Sequence, residues 1–214
     1  MQQWNGDDLK NALLRYDKKR IRDMAKDYAE RESFPAFVHD LLMPYLEEIG
    51  DMWTQGSVSL SQLYLCGKIS EALFDEYLGD TQKMESGGNR IAIVTLEDYH
   101  TLGKHMVGAL VRSNGYNLLD FGAGVGYRYA AELCVTHGVD ILMVSVLMYP
   151  SARKVENLKN ELVNHGMKTR LMVGGAPFNM DASLWSAVGA DAMGNTAYAG
   201  VTLLGEWVKE ENRQ

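Results

Sequence analysis

The sequence predicts an α/β protein in two parts, an N-terminal helical bundle followed by a doubly wound, five-stranded parallel sheet. Two observations predict this. From about residue 7 to 79 the apolar residues recur at helical spacing and no alternating strand pattern appears. Beyond residue 90, short apolar runs alternate with helical segments, as strands joined by crossover helices do.

In the first part, Leu9, Leu13, Ile21, Met24 and Tyr28 suit an opening helical region. Phe34, Phe37, Val38, Leu41, Leu42, Tyr45, Leu46 and Ile49 continue the pattern. Ser33 offers a capping oxygen and Pro35 suits a first helical turn. Gly50 and Gly56 flank a break around Trp53, and Ser59 or Ser61 begins a helix running to about Leu78. Residues 79–89, GDTQKMESGGN, are polar and glycine-rich and read as a linker. The bundle is therefore assigned to residues 1–84 and the α/β part to residues 90–214. Its predicted strands are Ile91–Leu96, Leu118–Phe121, Ile141–Leu147, Thr169–Val173 and Asp191–Met193. Helices are expected at about 102–113, 127–137, 152–165, 180–187 and 197–210.

Composition narrows the partners. A net charge of −7 and the lack of any Lys/Arg-rich block argue against a nucleic-acid binder. Nowhere do roughly 18 apolar residues run together, so no transmembrane helix and no membrane partner are expected. The start, MQQWNGDDLK, lacks the basic and apolar regions of a secretory signal. A cytoplasmic protein is expected, with Cys66 and Cys134 as reduced buried thiols.

Ligands of doubly wound sheets bind beyond the carboxyl ends of the strands. After the first strand stands Glu97-Asp98-Tyr99-His100-Thr101-Leu102-Gly103-Lys104. An Asp two residues before a His can hold one imidazole nitrogen and leave the other for a metal. Ser145-Val146-Leu147 ends the third run, and Gly174-Gly175-Ala176-Pro177 follows the fourth. Gly194-Asn195-Thr196-Ala197 follows the fifth. Taken singly, these also fit a polar loop, a satisfied buried hydroxyl and tight turns. Together, at four strand ends, they outline a slot with His100 as its metal-binding candidate.

These residues resemble the corrinoid proteins of cobalamin-dependent methyltransferase systems. Those proteins share a two-domain module with the cobalamin-binding region of methionine synthase. The family's D-x-H-x-x-G is matched by Asp98, His100 and Gly103, its S-x-L by Ser145 and Leu147, and its G-G by Gly174 and Gly175. Gly189-Ala190-Asp191 also follows the pattern. Upstream, Met43-Pro44 through Glu48-Ile49-Gly50, and Trp53 to Gly56, resemble the family's helical cap. The resemblance covers about residues 33–212.

The resemblance implies a flavodoxin-like (Rossmann-like) sheet that binds cobalamin, with His100 as the lower ligand of the cobalt. The cofactor's own benzimidazole then leaves the metal and its nucleotide tail enters the slot. Asp98 is expected on the far nitrogen of His100, and Ser145 near the buried base or the Asp–His pair. Thr101, Leu102, Gly103, Leu147, Tyr149, Gly174, Gly175, Ala176, Gly194, Asn195 and Thr196 are expected to complete the cofactor site. The sequence departs from the usual G-D-V-H-D-I-G at Glu97, Tyr99 and Thr101. Met148-Tyr149-Pro150 stands where threonines are common, with Ser151 retained.

The implied function is a methyl carrier. It would shuttle between a substrate-specific methyltransferase and an acceptor methyltransferase of tetrahydrofolate or thiol type, with a reductive activator. Alternatives are a cobalamin-dependent sensor, which usually adds a DNA-binding domain, and a storage or delivery protein. A mutase small subunit normally lacks such a cap. No Ser–His–Asp or Cys–His arrangement suggests catalysis by the chain alone.

Other features read more simply. Gly122-Ala123-Gly124-Val125-Gly126 follows the second strand rather than the first and has the wrong spacing for a dinucleotide fingerprint. His105 and His137 lack ligand-spaced partners. Trp53 and Tyr64 are read as packing residues of the cap, with shielding of the cofactor's upper face as the alternative. Glu206–Glu211 reads as a solvated helix face.

Overall fold

Helix capping and periodicity build the first unit of the computed structural model, which describes residues 6–78 and 90–211. These divide into two units, and the linker expected at 79–89 lies outside the described residues. The first unit comprises α1 (Gly6–Leu14), α2 (Lys18–Arg31), α3 (Phe34–Phe37), α4 (Met43–Thr54) and α5 (Leu60–Leu78). Asp17 caps α2 by accepting from the Arg20 N–H at 3.0 Å. Ser33 caps α3 by accepting from Ala36 N–H at 3.1 Å, as its sequence position suggests. A π-turn at Val38–Leu42 joins α3 to α4, directly before Pro44. A proline has no N–H to donate, so a looser turn is accommodated there. Leu9, Leu13, Ile21, Phe37, Leu42, Ile49 and Phe74 are fully buried. Phe34 stacks on Tyr77 at 4.3 Å and meets Phe74 edge-on.

The second unit is a five-stranded parallel sheet in the order β2-β1-β3-β4-β5. Its strands are β1 (Ile91–Leu96), β2 (Leu118–Val125), β3 (Ile141–Ser145), β4 (Arg170–Gly174) and β5 (Ala192–Gly194). The helices are α6 (Leu102–Ser113), α7 (Tyr127–His137), α8 (Tyr149–Asn164), α9 (Ala176–Met180), α10 (Leu184–Ala187) and α11 (Ala197–Glu211). Alternation along the strands splits the core. Ala92, Val94, Leu142, Val144, Leu171 and Val173 meet α7, α8 and the short helices. Ile91, Ile93, Ile141, Met143 and Met172 meet residues of α6 and α11, among them Val111, Val201 and Leu204. The order reverses between β1 and β3, and ligands of this doubly wound order bind at that switch point.

Several boundaries differ from the sequence expectation. β3 stops at Ser145 rather than Leu147, and α8 begins at Tyr149 rather than 152. Pro150 fits the first turn of α8, its fixed φ suiting a helix start. The helix expected at 180–187 is two short ones, α9 and α10. Pro177 sits in the first turn of α9, and Asp181 breaks the run by accepting from Ser183 N–H and Oγ–H at 2.9 and 2.6 Å. β2 continues through Gly122 and Gly124, both at positive φ, where its register against β1 shifts. The glycine run is thus a bulged strand. Cys66 and Cys134 are buried and unbridged, and burial pushes their thiols up to about 11 and about 12. Among the described residues no helix is long and apolar enough to cross a membrane.

Candidate functional site at the carboxyl ends of the strands

The loop after β1 is organised by one carboxylate. Asp98 Oδ1 accepts from the backbone N–H of its near neighbour His100 at 3.0 Å and from His100 Nδ1–H at 2.5 Å. Asp98 Oδ2 accepts from Leu147 and Met148 N–H at 2.8 and 3.0 Å, the amides that lead into α8. A helix start supplies unpaired N–H groups and favours negative charge. Burial by itself would raise the Asp98 pKa, but the His100 ring and these backbone donors outweigh it and hold the carboxyl at about 2. An ionised carboxylate only accepts, so Nδ1 carries the proton and the neutral ring keeps its lone pair on Nε2. The Asp98 side chain is 2% exposed and that of His100 52%. A reactive nitrogen is thereby presented from a buried, fixed base.

Glu97 occupies φ +46°, a conformation that suits glycine. Its carbonyl accepts from the buried Ser151 hydroxyl at 3.0 Å, and its N–H donates to Val125 O. Tyr99 is exposed and its ring lies beside Gly124, on the β2 side of His100. Thr101 stands immediately before α6, and Leu102 and Gly103 form that helix's first residues. Lys104 is buried and bonds both oxygens of Asp120 on β2, at 2.6 and 2.8 Å, which ties α6 to the sheet.

Strand register gathers the remaining positions. Thr95 is opposite Ser145, Ser145 opposite Gly174, and Gly174 opposite Gly194. Each stands two residues beyond a side chain of the α6–α11 core (Ile93, Met143, Met172 and Ala192), so all four belong to that face. The result is a row of small residues across the sheet at its carboxyl end. Ser145 Oγ would lie 3.3 Å from a Cβ at Gly103, so α6 comes close to the sheet here.

The glycines have a second reason for being small. A Cβ on Gly175, which sits at φ +119°, would fall 1.8 Å from Val146 O. On Gly174 it would lie 3.1 Å from Gly194 O, and on Gly194 2.9 Å from Gly200 Cα. The backbones of the residue after β3, of β5 and of α11 therefore occupy the positions that side chains would claim. Ala176 opens α9, and Asn179 Nδ2–H donates to Asn195 O at 3.0 Å. Thr196 Oγ1 accepts from Ala199 N–H at the start of α11. Leu147 and Tyr149 remain exposed at the rim.

The residues expected to form the cofactor site thus lie at the carboxyl ends of the strands, and Asp98 joins two of the loops directly. Asp98 is held by the His100 ring and by three backbone amides. Thr95 escaped notice because a threonine inside an apolar run reads as ordinary strand, and only the register places it beside Ser145. Among the described residues no group of three or more His, Cys, Asp or Glu is arranged to hold a metal ion. A single exposed imidazole fits a group that brings its other metal ligands with it, as a corrinoid ring does. Trp53 and Tyr64, in the first unit, are exposed.

Comparison with known proteins identifies the family. Residues 6–77 and 89–203 each match a B12 binding domain family. A corrinoid protein of Desulfitobacterium hafniense is 23% identical over 92% of this chain and 94% of its own length. Monomethylamine corrinoid protein 1 of Methanosarcina acetivorans is 27% identical over 89% and 91%. The solved monomethylamine corrinoid protein of Methanosarcina barkeri has the same fold, with a TM-score of 0.74 at 24% identity over 92% and 95% of the two chains. The chain belongs to the B12-binding family: it is a cobalamin-binding corrinoid protein of the kind found in methyltransferase systems.

Proposed function

We propose that this chain is a corrinoid methyl carrier that binds cobalamin with its own benzimidazole displaced and His100 Nε2 in the lower cobalt position. The observation that carries the reading is the Asp98–His100 pair, a half-exposed imidazole whose inner nitrogen is fixed by a buried carboxylate. When bound, the cofactor supplies a cobalt centre that accepts and gives up a methyl group. The residues of the chain do the rest. Asp98 would fix the tautomer and orientation of His100, leaving Nε2 free to hold the metal. Thr101, Leu102, Gly103, Ser145, Leu147, Tyr149, Gly174, Gly175, Ala176, Gly194, Asn195 and Thr196 border the cofactor and its tail. Residues 1–84 are assigned as the helical cap domain and residues 90–214 as the cobalamin-binding domain. Methylamine relatives support a partner methyltransferase that loads the carrier. A second methyltransferase, of tetrahydrofolate or thiol type, would unload it, and a reductive activator would serve the pair.

Reconstitution with hydroxocobalamin, followed by gel filtration and a visible spectrum, tests this. The expected result is stoichiometric retention with a band that disappears in His100→Ala while that variant keeps its fold and some corrinoid. An unchanged spectrum in His100→Ala would refute the ligand assignment. Methyl transfer from donor to acceptor by the purified chain without partners would refute the carrier role.

A further inference from the structure

Thr95 is 0% exposed, and its Oγ1 has no hydrogen-bond partner among the described residues. A hydroxyl buried without a partner is destabilising, and native structures rarely keep one without a purpose. Its position is informative. Thr95 faces α6, directly opposite Ser145 in the β1–β3 pair, at the switch point of the sheet. On the facing helix Gly103 lies against Ser145 and has no side chain to bond either hydroxyl. Two hydroxyls thus stand side by side on the face where a tail entering between sheet and α6 would lie.

We propose that Thr95 reads the base at the end of the corrinoid's nucleotide tail, so that this chain prefers a base carrying a hydrogen-bonding substituent. The inference rests on the corrinoid reading above. Dimethylbenzimidazole, once off the cobalt, offers one ring nitrogen and two methyl groups. Ser145 alone can satisfy that nitrogen, which would leave the Thr95 hydroxyl against hydrocarbon. A purine with an exocyclic amine, or a hydroxylated benzimidazole, supplies the second polar group. Sites built to bond a polar group discriminate against ligands lacking it because their own buried group is then left unpaired. Leu147 and Tyr149 are exposed at the rim and do not enter this choice.

Equilibrium dialysis of the full chain against three corrinoids tests the proposal: cobinamide, which lacks the tail base, cobalamin, and an adenine-bearing cobamide. Wild type is expected to bind the adenine form about tenfold more tightly than cobalamin. Thr95→Val, which keeps the shape and removes the hydroxyl, is expected to abolish that preference. Thr95→Ser is expected to retain it. Equal affinities in wild type, or a preference that survives in Thr95→Val, would overturn the proposal. Cobinamide binding as tightly as both cobamides would also overturn it, because the tail base would then contribute nothing, while the corrinoid reading would stand. Binding of none of the three would overturn the proposed function itself, and this inference with it.

Discussion

At Asp98 the chain turns because four donors converge on one buried carboxylate, whereas at Gly175 it turns because no side chain is there to obstruct it. The first loop is held by directional bonds that leave His100 half exposed, and its local φ strain is confined to Glu97. The second is held by backbone contact between neighbouring strand ends. The difference matters for function. A hydrogen-bonded loop can be weakened in steps and can pass a proton, while a loop defined by steric clearance either fits or forces the sheet apart.

Gly175→Ala breaks the second loop most severely. Its methyl would strike Val146 O from a backbone conformation that L-residues rarely adopt. A loss of about 3 kcal/mol or more is expected, read as a lower urea midpoint at unchanged slope. An unaltered midpoint would contradict the clearance argument. Asp98→Asn tests the first loop by keeping the shape while removing the charge. Its expected cost is about 2 kcal/mol, since hydrogen bonds to an ionised acceptor are lost inside the protein.

The pH profile sharpens the same point. Asp98 titrates at about 2 in the folded chain, below the ordinary carboxylate value. A depressed pKa means the folded state binds the proton less readily than the unfolded one. The contribution is therefore complete above about pH 4 and is lost as the pH falls toward about 2. Urea unfolding at pH 5 and pH 3 should show wild type losing about 1 kcal/mol more than Asp98→Asn. Parallel losses in the two proteins would mean that other carboxyls carry the acid sensitivity. Glu97→Gly is the smallest change. Relief of the positive φ should stabilise by about 1 kcal/mol, seen as a Tm rise of about 3 °C. A fall in Tm would show instead that the Glu97 side chain, which accepts weakly from Tyr127 N–H, matters more than the strain.

Much of the fold was legible in advance because its cues are local. Ser33 and Pro35 announced a helix start, and apolar runs bounded by helical segments announced parallel strands. The D-x-H spacing announced the Asp98–His100 contact, since a side chain two residues away has little room to go elsewhere. Leu147 and Met148 were harder. Their amides serve Asp98 only because β3 ends early and α8 begins at Tyr149. That boundary depends on Asp98, about fifty residues upstream, as much as on Pro150.

The glycines show the division most clearly. The order of residues along the chain pointed to alternating strands and helices, and to four strand ends outlining a slot with His100 as its metal-binding candidate. Which atoms need the clearance is a matter of register between strands remote in the chain. Gly174 answers to Gly194 O, Gly175 to Val146 O, and Gly103 to Ser145 Oγ. Thr95 joins Ser145 for the same reason. Hydrogen-bonding and periodicity act over a few residues and so leave their mark in the sequence. Alignment across a sheet is set by packing on both of its faces, and it appears only when the chain has folded.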